Sequence, residues 1–330
     1  MKISVLSDGA WGTALATVLI SNNHDVTMWG PFPEYIEEMA QSRFNSKFLP
    51  GVRLDDRLKF EADMAKAVQN SEAILLASPS QYLRSVLEKF KPFFNADKHL
   101  IINVAKGIEA DTWLRMSEVV SSILGSCRYV ALSGPSHAEE VSRKVPTLVV
   151  AASKNITDAE IVRDIFINNY FRVYTSSDIL SVELGGALKN VMAIAAGIID
   201  GMKLGDNPKA ALITRGIAEM SRLGVALGGN AQTFAGLSGV GDLIVTCCSG
   251  HSRNRHVGEA LGEGRKLNDI IQSMGMVVAE GVVTARGAKH FADKAEVETP
   301  IITEIYNILY NNKSPETAII ELMSRSPKQE

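Results

Sequence analysis

The sequence is poor in cysteine, poor in aromatic residues and without an excess of either charge. Three cysteines occur in 330 residues: Cys127, Cys247 and Cys248. An odd number with two adjacent is no disulfide framework, so a reducing compartment, the cytoplasm, is expected. The one Cys/His grouping, Cys247, Cys248, His251 and His256, lacks the spacing of a zinc site, and no metal is expected. Net charge is −3, from 34 Lys+Arg against 37 Asp+Glu, which excludes a general basic footprint for nucleic acid. Aromatics at 6% argue against a base-stacking platform. A local cationic pocket for a small anion stays open. No uninterrupted apolar stretch approaches the ~18 residues of a membrane span, and the most apolar helical stretch, 187–199, carries Lys189 and Asn190. The apolar start breaks at Ser7-Asp8-Gly9, too early for a secretory signal.

What is present is ordinary globular composition, 46% hydrophobic and 22% charged. At about 150 residues per domain the length predicts two domains. Up to residue 177, short β-branched runs alternate with helical patterns. Strands are predicted at Ile3–Leu6, Val26–Trp29, Ala73–Ala77, Leu100–Val104, Tyr129–Leu132, Leu148–Ala152 and Arg172–Tyr174. Helices are predicted at Trp11–Ser21, at Glu34–Gln41, from Ser78-Pro79 to about Phe90, and over 112–123. Strands separated by helices imply βαβ units and a mainly parallel, doubly wound sheet. From residue 178 to 330 the apolar residues recur at helical spacing, as in Leu180, Leu184, Leu188, Val191, Ala195 and Ile198. The reading is therefore an α/β domain over 1–177 and an all-α domain over 178–330, whose apolar helices are compatible with a homodimer.

Six segments carry candidate chemistry. Ser7-Asp8-Gly9-Ala10-Trp11-Gly12 lies between the first strand and the first helix, where a dinucleotide fold places its pyrophosphate turn. Gly9 would let the backbone approach phosphate, Gly12 would let the helix pack on the sheet, and the helix N-terminus would supply amide donors. Ser7 occupies the first glycine position of G-x-G-x-x-G and can turn there only with a negative φ; a plain strand–helix turn is the alternative. The second strand ends Trp29-Gly30-Pro31, with neither the acid of an NAD site nor the arginine of an NADP site. The missing arginine leans toward NAD. Lys106 follows a strand and faces either the ligand crevice or solvent. Ser133-Gly134-Pro135-Ser136-His137-Ala138 also follows a strand, with Ser136 and Glu139 spaced as a capping box.

Lys189 shares a helical stripe with Gly185, Gly186, Met192 and Ala193. A lysine among small residues marks either a crowded site suited to proton transfer or a snorkelling helix edge. The last segment is Gly239-Val240-Gly241-Asp242, followed by Ser252-Arg253-Asn254. Ser252 is spaced as an N-cap after a glycine-rich turn, and Arg253 at a helix start is a phosphate-site pattern or a solvated basic turn.

Together and in this order, these segments resemble the bacterial NAD(P)-dependent glycerol-3-phosphate dehydrogenases. The resemblance rests on Trp11–Ala16, Lys106–Glu109, Ser133–Ser136 with Ala138–Val141, Glu183 with Lys189–Val191, Gly241–Leu243, Ser252–Asn254 and Glu280-Gly281. It implies a Rossmann-type domain followed by a helical domain, and reduction of dihydroxyacetone phosphate to sn-glycerol 3-phosphate for phospholipid synthesis. It implies that Ala10, Trp11, Ala138, Val278 and Glu280 lie near NAD or NADP, along with Gly9, Gly12 and Pro31. Lys106, Gly134, Ser136, Asn190, Asp242, Ser252, Arg253 and Asn254 match substrate positions, with Lys106 and Arg253 shared with the cofactor. Lys189 matches the acid/base residue, with Lys106 and Asp242 assisting.

The chain departs from the family at Ser7 for a glycine, Asp8 for a small neutral residue, Pro31 for Arg or His, and His137 for an aromatic. Two other classes stay in view: a 3-hydroxyacid or 6-phosphogluconate type of two-domain dehydrogenase, and a non-catalytic nucleotide-binding protein.

Overall fold

The computed structural model describes residues 1–275, 278–327 and 329. It divides into two units, Met1–Lys106 with Leu114–Glu183, and Gly107–Trp113 with Leu184–Glu330.

The first unit carries β1 (Lys2–Leu6), β2 (Asp25–Trp29), β3 (Phe44–Asn45), β4 (Leu49–Arg53), β5 (Lys59–Glu61), β6 (Ala73–Leu76), β7 (Leu100–Asn103), β8 (Arg128–Ser133), β9 (Thr147–Ala152) and β10 (Phe171–Ser176). Eight of these form one sheet in the order β10-β9-β8-β7-β6-β1-β2-β5, and β3 pairs only with β4. All neighbours in the large sheet run parallel except β8 and β9. Alternate residues of a strand point to opposite faces. Ala73 and Leu75 of β6 therefore pack with the helices Ala10–Ser21 and Ile156–Phe166, while Ile74 and Leu76 pack with Leu83–Phe90 and Met116–Leu124. Helices cover both faces, which is why these strands read as continuous apolar runs. The fold class is the expected parallel, Rossmann-like sheet followed by a helical region. The order turns at β1, whose neighbours are β2 and β6. The Ala10–Ser21 helix leaves β1 at this switch point, where open sheets bind ligands.

Some local expectations are corrected. The helix expected over 112–123 is Met116–Leu124. It starts later because Asp111 and Trp113 take positive φ of 66° and 57°, which a right-handed helix cannot contain. Ser136 does not cap a helix: the helix Ala138–Ser142 has His137 at its N-cap with no side-chain bond. Instead the Ser136 hydroxyl turns back and donates to the Gly134 carbonyl at 2.8 Å. The β3–β4 pair, β5 and the Ile156–Phe166 helix were not expected.

From Leu184 onward, the regular elements among the second unit's described residues are all helices. Gly239 and Gly241 lie not in an open turn but in a π-helical turn, Leu237–Gly241, that runs into the helix Asp242–Cys248. The helix Ile179–Gly201 is long and apolar enough to cross a membrane by length and composition, yet its most apolar stretch is wholly buried inside the protein. Most of it belongs to the second unit, where it meets the helix Arg253–Gly262 backbone to backbone. A Cβ on Gly197 would fall on the Arg255 carbonyl oxygen, one on Gly201 on that of Glu259, one on Gly258 on that of Ile194, and one on Gly262 at 2.5 Å from that of Ile198. The four glycines form two small-xxx-small pairs that let the helices touch without side chains between them.

Gly258→Ala should therefore lower stability by at least about 2 kcal/mol, because backbone cannot yield as a side chain can. Gly216→Ala is the control. Its Cβ would meet only the flexible Met192 side chain, at 3.2 Å, and it should be neutral or gain up to about 1 kcal/mol from helix propensity. Urea-denaturation midpoints of the two variants check this, and equal midpoints would remove the backbone-contact account.

Candidate functional site

The candidate residues fall into two sets, one in each unit. In the first unit, the turn after β1 is closed by its own polar groups. Ser7 avoids the left-handed region, so a glycine is not needed there, and its hydroxyl accepts from the Gly9 N–H at 3.0 Å. Gly9 is the N-cap of the Ala10–Ser21 helix and no side chain caps that end, which leaves the first-turn amides of Ala10, Trp11 and Gly12 as donors for an anion. Gly12 sits tight on the sheet: a Cβ would lie 3.2 Å from both the Ala77 Cβ and the Ser7 carbonyl oxygen. Pro31, after β2, is exposed.

The turn is braced by a residue that sequence reading missed. Asn45 is fully buried, and its amide nitrogen donates to the Asp8 carbonyl at 2.7 Å and to the Thr13 hydroxyl at 2.8 Å. Its oxygen accepts from the Tyr35 hydroxyl at 2.6 Å and the Phe48 N–H at 3.1 Å. The only sequence signal was an asparagine between Phe44 and Ser46, which has many other meanings.

The other first-unit residues gather around one carbonyl. Lys106 is half-buried after β7, and its ammonium donates to the Gly134 carbonyl at 2.8 Å. Ser136 donates to the same oxygen. Gly134 has φ of +142°, and a Cβ there would lie 3.0 Å from the Val149 Cα. Only glycine fits this position, so the residue aims its carbonyl at Lys106 through a conformation closed to other side chains. Ala138 is buried at the first position of its helix.

Glu183 is a second residue whose role was not legible. Its carboxylate accepts from the Ser117 N–H and hydroxyl at 2.8 and 2.7 Å, the Tyr129 hydroxyl at 2.7 Å and the Arg115 guanidinium at 2.7 Å. Burial pushes the Glu183 carboxyl up, against the opposing pull of Arg115, Ser117 and Tyr129. Burial, with Glu183 adding to it, raises the Tyr129 hydroxyl well above its usual value. The network ties the start of the Met116–Leu124 helix to the last residue of the first unit.

In the second unit, Lys189 is 7% exposed on the Ile179–Gly201 helix. Its ammonium pairs with the Asp242 carboxylate at 2.8 Å and donates to the Thr246 hydroxyl at 2.7 Å. Thr246 in turn donates to the Asp242 carbonyl at 2.6 Å. Asp242 and Thr246 lie one turn apart on the Asp242–Cys248 helix, so one helix face holds the ammonium at two points. Asn190, the next residue, accepts from the Asn254 amide at 3.0 Å, and the Asn254 oxygen accepts from the Gly281 N–H at 2.8 Å. Ser252 caps the Arg253–Gly262 helix by accepting from the Arg255 N–H at 3.2 Å, as its spacing predicted.

The two arginines of that turn separate cleanly. Arg255 is committed to Asp200 at 2.6 Å and to the Ser249 carbonyl at 3.1 Å. Arg253 is exposed and has no ion-pair partner among the described residues. Glu280 opens the Glu280–Lys294 helix, and Val278 is half-buried just before it.

Residues 2–159 match the family described as NAD-dependent glycerol-3-phosphate dehydrogenase N-terminus, and residues 178–320 match its C-terminus. A protein of Chlorobium phaeobacteroides (strain BS1), named glycerol-3-phosphate dehydrogenase [NAD(P)+], is 49% identical over 100% of this chain and 99% of its own length. A protein of the same name from Bacillus subtilis (strain 168) is 48% identical, over 100% of this chain and 96% of its own. The crystal structure of glycerol-3-phosphate dehydrogenase from Coxiella burnetii superposes with a TM-score of 0.94 at 37% identity, covering 98% of this chain and 99% of that one. The chain belongs to the NAD-dependent glycerol-3-phosphate dehydrogenase family.

Asn45→Ala should destabilise the protein by at least about 2 kcal/mol, since it strands several buried donors and acceptors at once. Thermal and urea unfolding check this. A change below about 0.5 kcal/mol would mean that the β1 turn holds its shape without the brace.

Proposed function

We propose that this chain is an NAD(P)-dependent oxidoreductase that reduces dihydroxyacetone phosphate to sn-glycerol 3-phosphate, and catalyses the reverse oxidation. The reaction balances as dihydroxyacetone phosphate plus NAD(P)H plus a proton giving glycerol 3-phosphate plus NAD(P)+. The observation that carries the reading is the buried Lys189–Asp242 pair in a member of this family. A cytoplasmic setting follows from the same reading and from the cysteine usage.

The first unit is the nucleotide-binding domain in this reading, and the second supplies most of the substrate and acid/base residues. The uncapped first-turn amides of Ala10, Trp11 and Gly12 suit a pyrophosphate, and the small residues there admit its close approach. When bound, a nicotinamide cofactor would supply or take up the hydride at C2 of the substrate. Lys189 supplies a proton from Nζ to the oxygen that becomes the alcohol, and takes one back in oxidation. Asp242 and Thr246 hold Nζ in place, so the ammonium is oriented before substrate arrives.

Lys106 adds positive charge for the developing alkoxide. It is held against Gly134, beside Ser136. Arg253 is the cation of its turn that no carboxylate occupies, and with Ser252 and Asn254 it would hold the phosphate. Phosphate binding then positions the carbonyl. Ala138, Val278 and Glu280 complete the cofactor side.

The direct test is steady-state reduction of dihydroxyacetone phosphate, with NADH and NADPH titrated in parallel. Lys189→Ala should lower kcat by about 10²-fold or more in both directions with little change in KM. Near-normal turnover would remove its proton-transfer role. Arg253→Ala should raise KM for the phosphorylated substrate by roughly tenfold or more, the usual scale of a charge-assisted contact. Unchanged kcat and KM would show that the phosphate binds elsewhere.

A further inference from the structure

The end of β2 lacks the acid that usually meets the adenosine ribose, since Trp29 is followed by Gly30 and an exposed Pro31. A carboxylate nonetheless stands there, delivered from β1. The parallel register pairs Leu6 with Trp29, so the two strands end side by side. Asp8, two residues past Leu6, is 6% exposed. Its carboxyl lies against Gly30: a Cβ on Gly30 would be 2.7 Å from Asp8 Oδ2 and 2.8 Å from its Cγ. The Asp8 side chain thus fills the space that a side chain at position 30 would take. Asn45 holds the Asp8 carbonyl in place.

Oδ2 is buried and has no hydrogen-bond partner among the described residues. Burial raises the Asp8 carboxyl above the usual carboxylate range, opposed by its own backbone and by Lys47. Lys47 sits over the Tyr35 ring, 4.2 Å from its centroid, and the Tyr35 hydroxyl is already given to Asn45. A buried carboxylate oxygen without a donor is costly to keep.

We propose that Asp8 is a specificity-determining residue for the dinucleotide, its carboxylate accepting the hydroxyls of the adenosine ribose and turning away a 2′-phosphorylated ribose. The inference rests on the nicotinamide-cofactor reading above. A ribose diol offers O–H donors to an acceptor-only group. A 2′-phosphate offers negative charge beside negative charge, and Pro31 brings no cation to offset it. The first strand thereby does for this chain what an acid at the end of the second strand does in other dinucleotide folds, and the cofactor selected is the unphosphorylated one.

The test is binding, without turnover. Quenching of tryptophan fluorescence or calorimetry would give Kd for NADH, NADPH and ADP-ribose on the wild-type protein and on Asp8→Ala and Asp8→Asn. The wild type should bind NADH at least about tenfold more tightly than NADPH. Asp8→Ala should weaken NADH and ADP-ribose by about tenfold or more and leave NADPH no weaker, so the preference collapses. Asp8→Asn, which keeps one acceptor oxygen, should fall between.

An unchanged preference in Asp8→Ala, or equal weakening of both dinucleotides, overturns the proposal and leaves Asp8 a structural residue. A wild-type preference for NADPH overturns it without any variant. Wild-type protein that binds neither dinucleotide overturns the cofactor reading itself, which separates that failure from this one. Removing an unpaired buried carboxyl should hold or raise Tm, so both variants are expected to fold.

Discussion

Two helices that touch through bare backbone set the geometry on which the second unit depends. Gly197 and Gly201 on one, Gly258 and Gly262 on the other, each face a carbonyl oxygen of the partner helix. Side chains are absent from the seam, so its spacing cannot relax by a rotamer change. The N-terminus of the Arg253–Gly262 helix is thereby held beside Asn190, and Asn254 closes the link by bonding both Asn190 and the Gly281 backbone. Lys189 precedes Asn190 directly, and the Ser252–Asn254 turn opens the second helix. The same close approach thus places the acid/base candidate and the anion-site candidate in one rigid arrangement.

Buried charge is handled differently at three points. Lys189 and Asp242 answer each other, with Thr246 bridging. Such pairs add little stability in themselves, because desolvation offsets most of the attraction. Their value lies in holding an ammonium in a defined position. Glu183 is satisfied on both oxygens by Arg115, Ser117 and Tyr129, and serves as an anchor. Asp8 is the exception, with one oxygen left without a donor.

Much of the architecture was readable. The strands from Ile3 to Tyr174 stand out because a sheet covered on both faces selects continuous apolar runs, and the change to helical spacing after residue 177 is equally plain. The Ser252 cap was legible because an N-cap is a local bond. The Ser136 cap failed although its pattern was the same, since the hydroxyl found the Gly134 carbonyl of its own loop first. The short β3–β4 pair and β5 gave no periodic signal, having too few residues to establish one. The segment Gly107–Trp113 belongs by its contacts to the helical unit, and Trp113 stacks on His290 there. No local pattern marks such an exchange.

By itself the sequence determined most of the strand and helix succession, the family motifs and the residue types able to move a proton or hold a phosphate. These depend on spacing within a few residues, where periodicity and capping operate. Only the tertiary structure decided that Lys189 meets Asp242 and Thr246, that Arg255 is tied to Asp200 while Arg253 is left exposed, and that Asn45 braces the β1 turn. It also decided that the Asp8 carboxyl, from the turn after β1, lies against Gly30 at the end of β2. These are contacts between segments far apart in the chain, and they follow from strand register and helix spacing, which packing of the whole core sets.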